Sequence, residues 1–164
     1  MIAEYKHAVL KQLKDVIEPY NGSIYHKTTS NFNPAAYDFN RAIKNNINVK
    51  AKTGYDLGPG LYGHLDADYY SSIKAGSRVV KYSGSNLKLL PVLNEREYLE
   101  LVKFHTGKIG AKAKQDFNEY LEMLGYDGII ARQSVGHKNM AALFKSAMKR
   151  LSGSVYKDRL GSKK

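Results

Sequence analysis

No cysteine occurs in the 164 residues of the chain. That removes disulfides, thiolate zinc sites, cysteine-ligated clusters and cysteine nucleophiles from the chemistry open to it. No apolar run reaches the roughly 18 residues that a helix needs to cross a bilayer. The opening Met1-Ile2-Ala3-Glu4 has none of the basic-then-apolar layout of a secretion signal. A cytoplasm is therefore the expected compartment, that of the producing cell or of a host cell after delivery. No HExxH is present, and none of His7, His26, His64, His105 and His137 pairs at i,i+4, so no metal site is expected. Gly58-Pro59-Gly60 lacks the lysine and hydroxyl that end a phosphate loop, and its proline removes an N–H donor from any cradle. Gly-x-Ser-x-Gly is missing too, which excludes the serine-hydrolase elbow.

What is present is a hydrophobic fraction of 43%, enough for a core, and a formal net charge of +11. The charge is uneven. From Lys145 to Lys164, Lys145, Lys149, Arg150, Lys157, Arg159, Lys163 and Lys164 face the single acid Asp158, so these twenty residues hold +6 and the remainder only +5. This segment reads either as a solvated basic end or as a contact for nucleic-acid phosphates. Between Lys52 and Lys74 the sign reverses, with Asp56, Asp66 and Asp68 and no lysine or arginine. The chain reads as one domain over 1–152 followed by a basic tail over 153–164.

Apolar spacing predicts a helix over 3–17, ended by Pro19 and turned by Asn21-Gly22. A short strand over 23–27 precedes the polar cluster Thr28-Thr29-Ser30-Asn31, and a helix over 35–44 exits at Asn45-Asn46. Residues 54–63 hold four glycines and a proline, so they form a loop or a sharply bent strand edge. A short helix over 67–75 leads to strands over 78–82 and 87–92, where Pro91 argues against a central place in the sheet. Asn94-Glu95-Arg96-Glu97 is a capping box for a helix carrying Tyr98, Leu101 and Val102. Ala113, Phe117, Tyr120, Leu121 and Leu124 share one face of a further helix that Gly125 stops. After the Tyr126-Asp127-Gly128 turn comes a buried strand over 129–131. Residues 140–144 form a strand, or else open a helix running through Met148 and Leu151. The alternation says α+β.

One set of residues has chemistry in common. His26 ends a strand beside Thr28 and Thr29, Tyr62 follows the glycine loop, and Tyr69-Tyr70 come shortly after. Glycine-exposed backbone groups can bond a planar amide, a histidine can hold a ribose hydroxyl, and a tyrosine can stack on an aromatic ring. Those are the demands of a nicotinamide-ribose pocket. Each residue also has a structural reading, His26 as a strand-end histidine and the tyrosines as half-buried core aromatics.

Tyr25-His26-Lys27-Thr28-Thr29, Gly58-Pro59-Gly60-Leu61-Tyr62, Tyr69-Tyr70 and Gly125-Tyr126-Asp127-Gly128-Ile129-Ile130 resemble, in that order, the motifs of the ADP-ribosyltransferase family. The likeness is to its branch of diphtheria-toxin-like and poly-ADP-ribose-polymerase-like enzymes, in particular small bacterial and phage members, and it covers residues 23–150. The resemblance implies an α+β fold of two small, split and strongly bent β-sheets with flanking helices around an NAD cleft. It gives His26 the hold on a ribose, on the adenosine or the nicotinamide side. It gives Tyr62 the lining of the nicotinamide pocket, Tyr70 or Tyr69 the stacking, and the backbone of Lys27 the nicotinamide amide, with Thr28 and Gly60 beside them. The implied function is NAD-dependent mono-ADP-ribosyl transfer to a protein or nucleic-acid acceptor, as in toxins and phage or bacterial effectors.

The chain departs from the family at two points. Lys27 stands where the family has glycine. No Asp or Glu lies between Gly128 and Ser152, although the family's last strand begins with the glutamate that supports the charge developing as nicotinamide leaves. Met140-Ala141-Ala142-Leu143-Phe144 occupies that stretch, preceded by Asn139. Three readings follow: the acid comes from elsewhere, Gln133 or Asn139 positions the substrate, or the cleft binds without reacting. Asp127 reads as a turn-maker more readily than as a catalyst. The alternatives to an enzyme are an inactive binding protein of the same fold and a basic α+β nucleic-acid-binding domain.

Overall fold

The computed structural model describes residues 16–28, 37–48, 55–66, 78–134 and 139–158. The helices expected over 3–17 and 67–75 lie outside them, apart from Val16 and Ile17, which precede the first strand. Strands β1 (Glu18–Thr28), β2 (Leu61–His64), β3 (Arg78–Val92), β4 (Gly128–Ala131), β5 (Met140–Leu143) and β6 (Leu151–Asp158) alternate with α1 (Phe39–Asn48), α2 (Glu95–Thr106), α3 (Ala111–Met123) and a 3₁₀ helix (Lys145–Arg150). The fold is α+β.

The sheet order is β1-β2-β5-β4-β3-β6, and β1 also pairs with β3. Five strands therefore close into a barrel, with β6 added outside on β3. The two groups expected as separate sheets are recognisable within it. On one side β1 and β6 flank β3 antiparallel. On the other β5 runs antiparallel between β2 and β4. They are joined by the parallel pairing of Leu89–Val92 with Gly128–Ala131 and, across the opposite seam, by the pair Tyr25↔His64. Hydrogen bonding makes one continuous sheet of what the sequence suggested as two.

Alternation along the strands separates two cores. Ile130, Ala141, Leu143, Ile24, Val80, Tyr82 and Leu89 fill the barrel interior. Their neighbours Ile129, Ala142, Leu90 and Val92 point the other way, against Tyr98 and Val102 of α2 and Phe117 and Leu121 of α3. The helices thus pack on the outer face of the β2-β5-β4 group.

Several boundaries differ from the sequence reading. Asn21-Gly22 does not turn the chain; it lies within β1 at a bulge against β3, and Asn21 Oδ1 accepts from the N–H of Asn86 at 2.7 Å. The two segments over 78–92 are a single strand. Pro91 is paired with Ile130 of β4, beyond the point where β1 ends at Glu18↔Leu89, so its missing N–H breaks no rung there. Helix α1 starts four residues later than expected and continues through Asn45-Asn46, because the Asn46 side chain is used in tertiary bonds described below. Residues 140–143 are a strand, followed by one short 3₁₀ helix. Residues 153–158, expected within a basic tail, belong to β6, which pairs with β3 from Arg78↔Asp158 to Gly84↔Leu151.

The caps agree with the sequence. Asn94 Oδ1 accepts from the Glu97 N–H at 3.1 Å, and Glu97 reaches back to the Leu93 N–H at 3.3 Å. Gly125, with φ of 100°, ends the turn after α3.

Candidate functional site

His26 lies on β1 next to the seam with β2. Its Nδ1 is 2.7 Å from the carbonyl oxygen of Tyr62, thirty-six residues away. A carbonyl only accepts, so Nδ1 carries the proton and Nε2 carries the lone pair. Burial pushes the imidazole below its ordinary pKa, and the bond to Tyr62 opposes that only in part. His26 is a neutral acceptor at Nε2 near neutral pH.

Tyr62 is half-buried, with its ring against the helix-side core and edge-on to Tyr55 at 5.8 Å between centroids. Its hydroxyl is committed. It accepts from the Leu57 N–H at 2.8 Å and donates to the Gly58 carbonyl at 2.6 Å. Burial, first, and the neighbouring Tyr98 hydroxyl raise its pKa well above the usual phenol value. Only the ring of Tyr62 is left for a ligand.

The glycine loop is held from below by three polar side chains of the helices. Asn46 accepts the Tyr55 N–H at 2.8 Å while donating to the Ala111 carbonyl at 3.1 Å. Lys114 Nζ donates to the Tyr55 carbonyl at 2.8 Å, and burial lowers its pKa. Asn118 donates to the Leu57 carbonyl at 2.9 Å and accepts from the Tyr98 hydroxyl at 2.8 Å. The backbone groups that glycine would expose to a planar amide are thus largely taken at residues 55–58. A Cβ on Gly60 would lie 3.0 Å from the Leu143 carbonyl, so this glycine lets β2 approach β5.

Asn139 directly precedes β5, at φ 33°, a left-handed conformation that asparagine tolerates. Its Nδ2 donates to both carboxylate oxygens of Asp66, at 3.1 and 3.3 Å. Its Oδ1 accepts from Arg132 at 3.1 Å, and Arg132 in turn pairs with Glu18. The Leu65 N–H donates to the Asn139 carbonyl at 3.1 Å. An acid is thereby tied to the start of the last barrel strand although that strand contains none. In the sequence Asp66 shows only as one of three acids in a stretch free of lysine and arginine, and nothing in the spacing pairs it with Asn139.

The other candidates separate. The Lys27 and Thr28 backbones pair with Val79 and Arg78. Tyr69 and Tyr70 lie outside the described residues. Gln133 is exposed in the turn after β4, where its backbone N–H donates to the Leu93 carbonyl at 2.7 Å. His26 and Tyr62 meet directly, and Asn139 lies beside the far end of β2, where His64 pairs with Met140. Asp127 is buried and engaged by the Lys88 N–H at 2.9 Å, Ser146 Oγ at 2.9 Å and Arg150 at 2.6 Å. That is the setting of a turn anchor. Among the described residues no group of three His, Asp or Glu could hold a metal ion, and no helix is long and apolar enough to cross a membrane.

No family model matches the chain, and no curated protein does. Among solved structures, it is similar to a chain of the crystal structure of the M. tuberculosis MbcT-MbcA toxin-antitoxin complex. The two share 14% identity over 94% of each chain, with a TM-score of 0.51. At that identity the likeness is one of fold, and it extends over nearly the whole of both chains.

Proposed function

We propose that the chain is an NAD-consuming mono-ADP-ribosyltransferase of toxin type, acting on a protein or nucleic-acid acceptor. The observation that carries the reading is the 2.7 Å contact between His26 and Tyr62, which joins the two motif segments that the ADP-ribosyltransferase resemblance singles out. The fold neighbour from a toxin-antitoxin complex supports a toxin-type role and a protein partner. In this reading NAD is the substrate. His26 Nε2 accepts a ribose hydroxyl, the Tyr62 ring lines the nicotinamide pocket, and Tyr70 or Tyr69 stacks on it. The bond from ribose C1′ to the nicotinamide nitrogen breaks, nicotinamide leaves neutral, and an acceptor nucleophile forms the new bond to C1′ while losing its proton. The Asp66 carboxylate, oriented by Asn139, supplies the negative charge that steadies the cationic ribose. Gln133 has the weaker claim to a positioning role, since it is exposed.

One observation favours a second reading. Met140 opens β5 where the resemblance calls for glutamate, which suits a cleft that binds NAD without turning it over.

Labelled NAD mixed with the purified chain and a cell lysate tests both. Nicotinamide release with label on an acceptor, lost in His26→Ala, supports the transferase. Saturable NAD binding without release supports the second reading, and absence of binding overturns both.

A further inference from the structure

We propose that Arg132 is a positioning residue for the Asp66 carboxylate, acting through the side chain of Asn139 without touching substrate. The proposal rests on the NAD reading above and deepens it, adding a residue that lies outside every motif segment of the resemblance.

Four strands contribute at this point. Arg132 follows β4, Asn139 precedes β5, Asp66 comes two residues after β2, and Glu18 opens β1. The backbone fixes where the side chains start. The Arg132 N–H donates to the Val92 carbonyl at 3.0 Å, the Asn139 N–H to the Arg132 carbonyl at 3.4 Å, and the Leu65 N–H to the Asn139 carbonyl at 3.1 Å.

Asn139 stands between a group that only donates and a group that only accepts. One guanidinium nitrogen of Arg132 donates to Oδ1 at 3.1 Å, and Nδ2 donates to the two Asp66 oxygens at 3.1 and 3.3 Å. Turned by 180°, the amide would set oxygen against carboxylate and N–H against guanidinium. The guanidinium therefore selects the orientation in which Asn139 serves Asp66. Its second nitrogen pairs with Glu18, which balances the cation and holds it in place. Hydrogen bonds from a neutral amide orient the Asp66 carboxylate without cancelling its charge. That is what a group needs if it is to steady a cationic ribose.

Nicotinamide release from NAD is measured for the full chain, Arg132→Met, Asp66→Asn and the double variant, with circular dichroism as the check on folding. Methionine keeps an unbranched stem and removes the donors. In Arg132→Met, kcat should fall roughly tenfold with KM little changed. In the Asp66→Asn background the same substitution should lower kcat by less than about twofold, because its effect passes through a carboxylate no longer there. An arginine that merely supported the fold would cost as much in both backgrounds. A second arm contains no NAD. In 15N NMR spectra the Asn139 side-chain amide, identified by its loss in Asn139→Ala, should exchange with solvent at least about fivefold faster in Arg132→Met than in the parent. A normal kcat in Arg132→Met or in Asp66→Asn, equal losses in the two backgrounds, or unchanged amide exchange each overturns the positioning role and leaves the NAD reading in place. A parent chain that releases no nicotinamide, with the amide arm as expected, overturns the transferase reading and the positioning role with it.

Discussion

The imidazole of His26 and the carbonyl oxygen of Tyr62 lie 2.7 Å apart across the seam where β1 meets β2. The strands share the backbone pair Tyr25↔His64 at that seam, so a side chain helps to close it. The same bond sets the tautomer that leaves Nε2 as an acceptor. A residue of this kind has two measurable signatures, one in stability and one in chemistry.

Stability depends on pH through His26. Burial holds its folded pKa below the unfolded value of 6.5. As pH falls below 6.5, the unfolded state takes up a proton before the folded state does, so stability drops until the folded pKa is passed. Denaturant unfolding between pH 7.5 and pH 5 follows this. In His26→Gln, which keeps a donor for Tyr62, the drop should be smaller than in the parent chain.

The acid tied to Asn139 is testable in turnover. If NAD is cleaved, Asp66→Asn should lower kcat by about a hundredfold with little change in KM, as expected of a charge that acts on the transition state. Asn139→Ala should give part of the same loss, and the double variant little more than Asp66→Asn alone, because both act through one carboxylate. An Asp66→Asn enzyme with normal kcat would leave that acid without a role.

The glycines of the chain should differ in cost. Gly58, at φ 75°, has Asn118 Nδ2 at 2.5 Å and the Tyr98 hydroxyl at 2.7 Å from where a Cβ would stand. Gly125, at φ 100°, has nothing within 4 Å. Gly125→Ala should cost about 1–2 kcal/mol from backbone conformation alone. Gly58→Ala should cost more, since the helix side chains that hold the loop must also move. Denaturant midpoints at constant m-value measure both.

Asp127 and Arg150 test what the basic end of the chain is for. Asp127 is buried at 1% exposure, with Arg150 on it. Arg150→Met should destabilise by about 3 kcal/mol by leaving a buried carboxylate without its cation. Lys149→Met, one position earlier and exposed, should change stability by less than about 0.5 kcal/mol. Thermal unfolding of the two variants side by side separates a structural arginine from a solvated lysine.

Alkaline pH should unfold the chain through its buried tyrosines. Burial raises the pKa of Tyr62, Tyr82 and Tyr98. Above pH 10 the unfolded state ionises these phenols and the folded state does not, so stability falls as pH rises. Tyrosinate absorbance should show these buried phenols ionising in a step that coincides with loss of near-ultraviolet circular dichroism.

The local signals were legible in the sequence. Asn94 and Glu97 capping α2, the Ala113-Phe117-Leu121 face of α3, and Gly125 after it depend on residues within a few positions of one another. The turn role of Asp127 was legible from Tyr126-Asp127-Gly128, but its partners Lys88, Ser146 and Arg150 were not, being 39, 19 and 23 residues away. The continuation of α1 through Asn45-Asn46 was not legible, because what holds Asn46 is the Tyr55 N–H and the Ala111 carbonyl, nine and sixty-five residues away. Asp66 was missed for the same reason, being seventy-three residues from Asn139.

The sequence by itself therefore determined the α+β class, the absence of cysteine chemistry, the Asn94 cap of α2 and the Gly125 stop after α3, and a histidine segment and a glycine-tyrosine segment as a candidate site. Tertiary structure decided the rest. It closed five strands into one barrel where two sheets were expected, and it drew residues 153–158 of the expected tail into β6. It occupied the glycine loop's backbone with Asn46, Lys114 and Asn118, and it brought an aspartate to the start of a strand that has none. The physical reason is common to all four. Each depends on which backbone and side-chain polar groups meet across the fold, and a buried polar group takes its partner wherever packing brings one, at any distance along the chain.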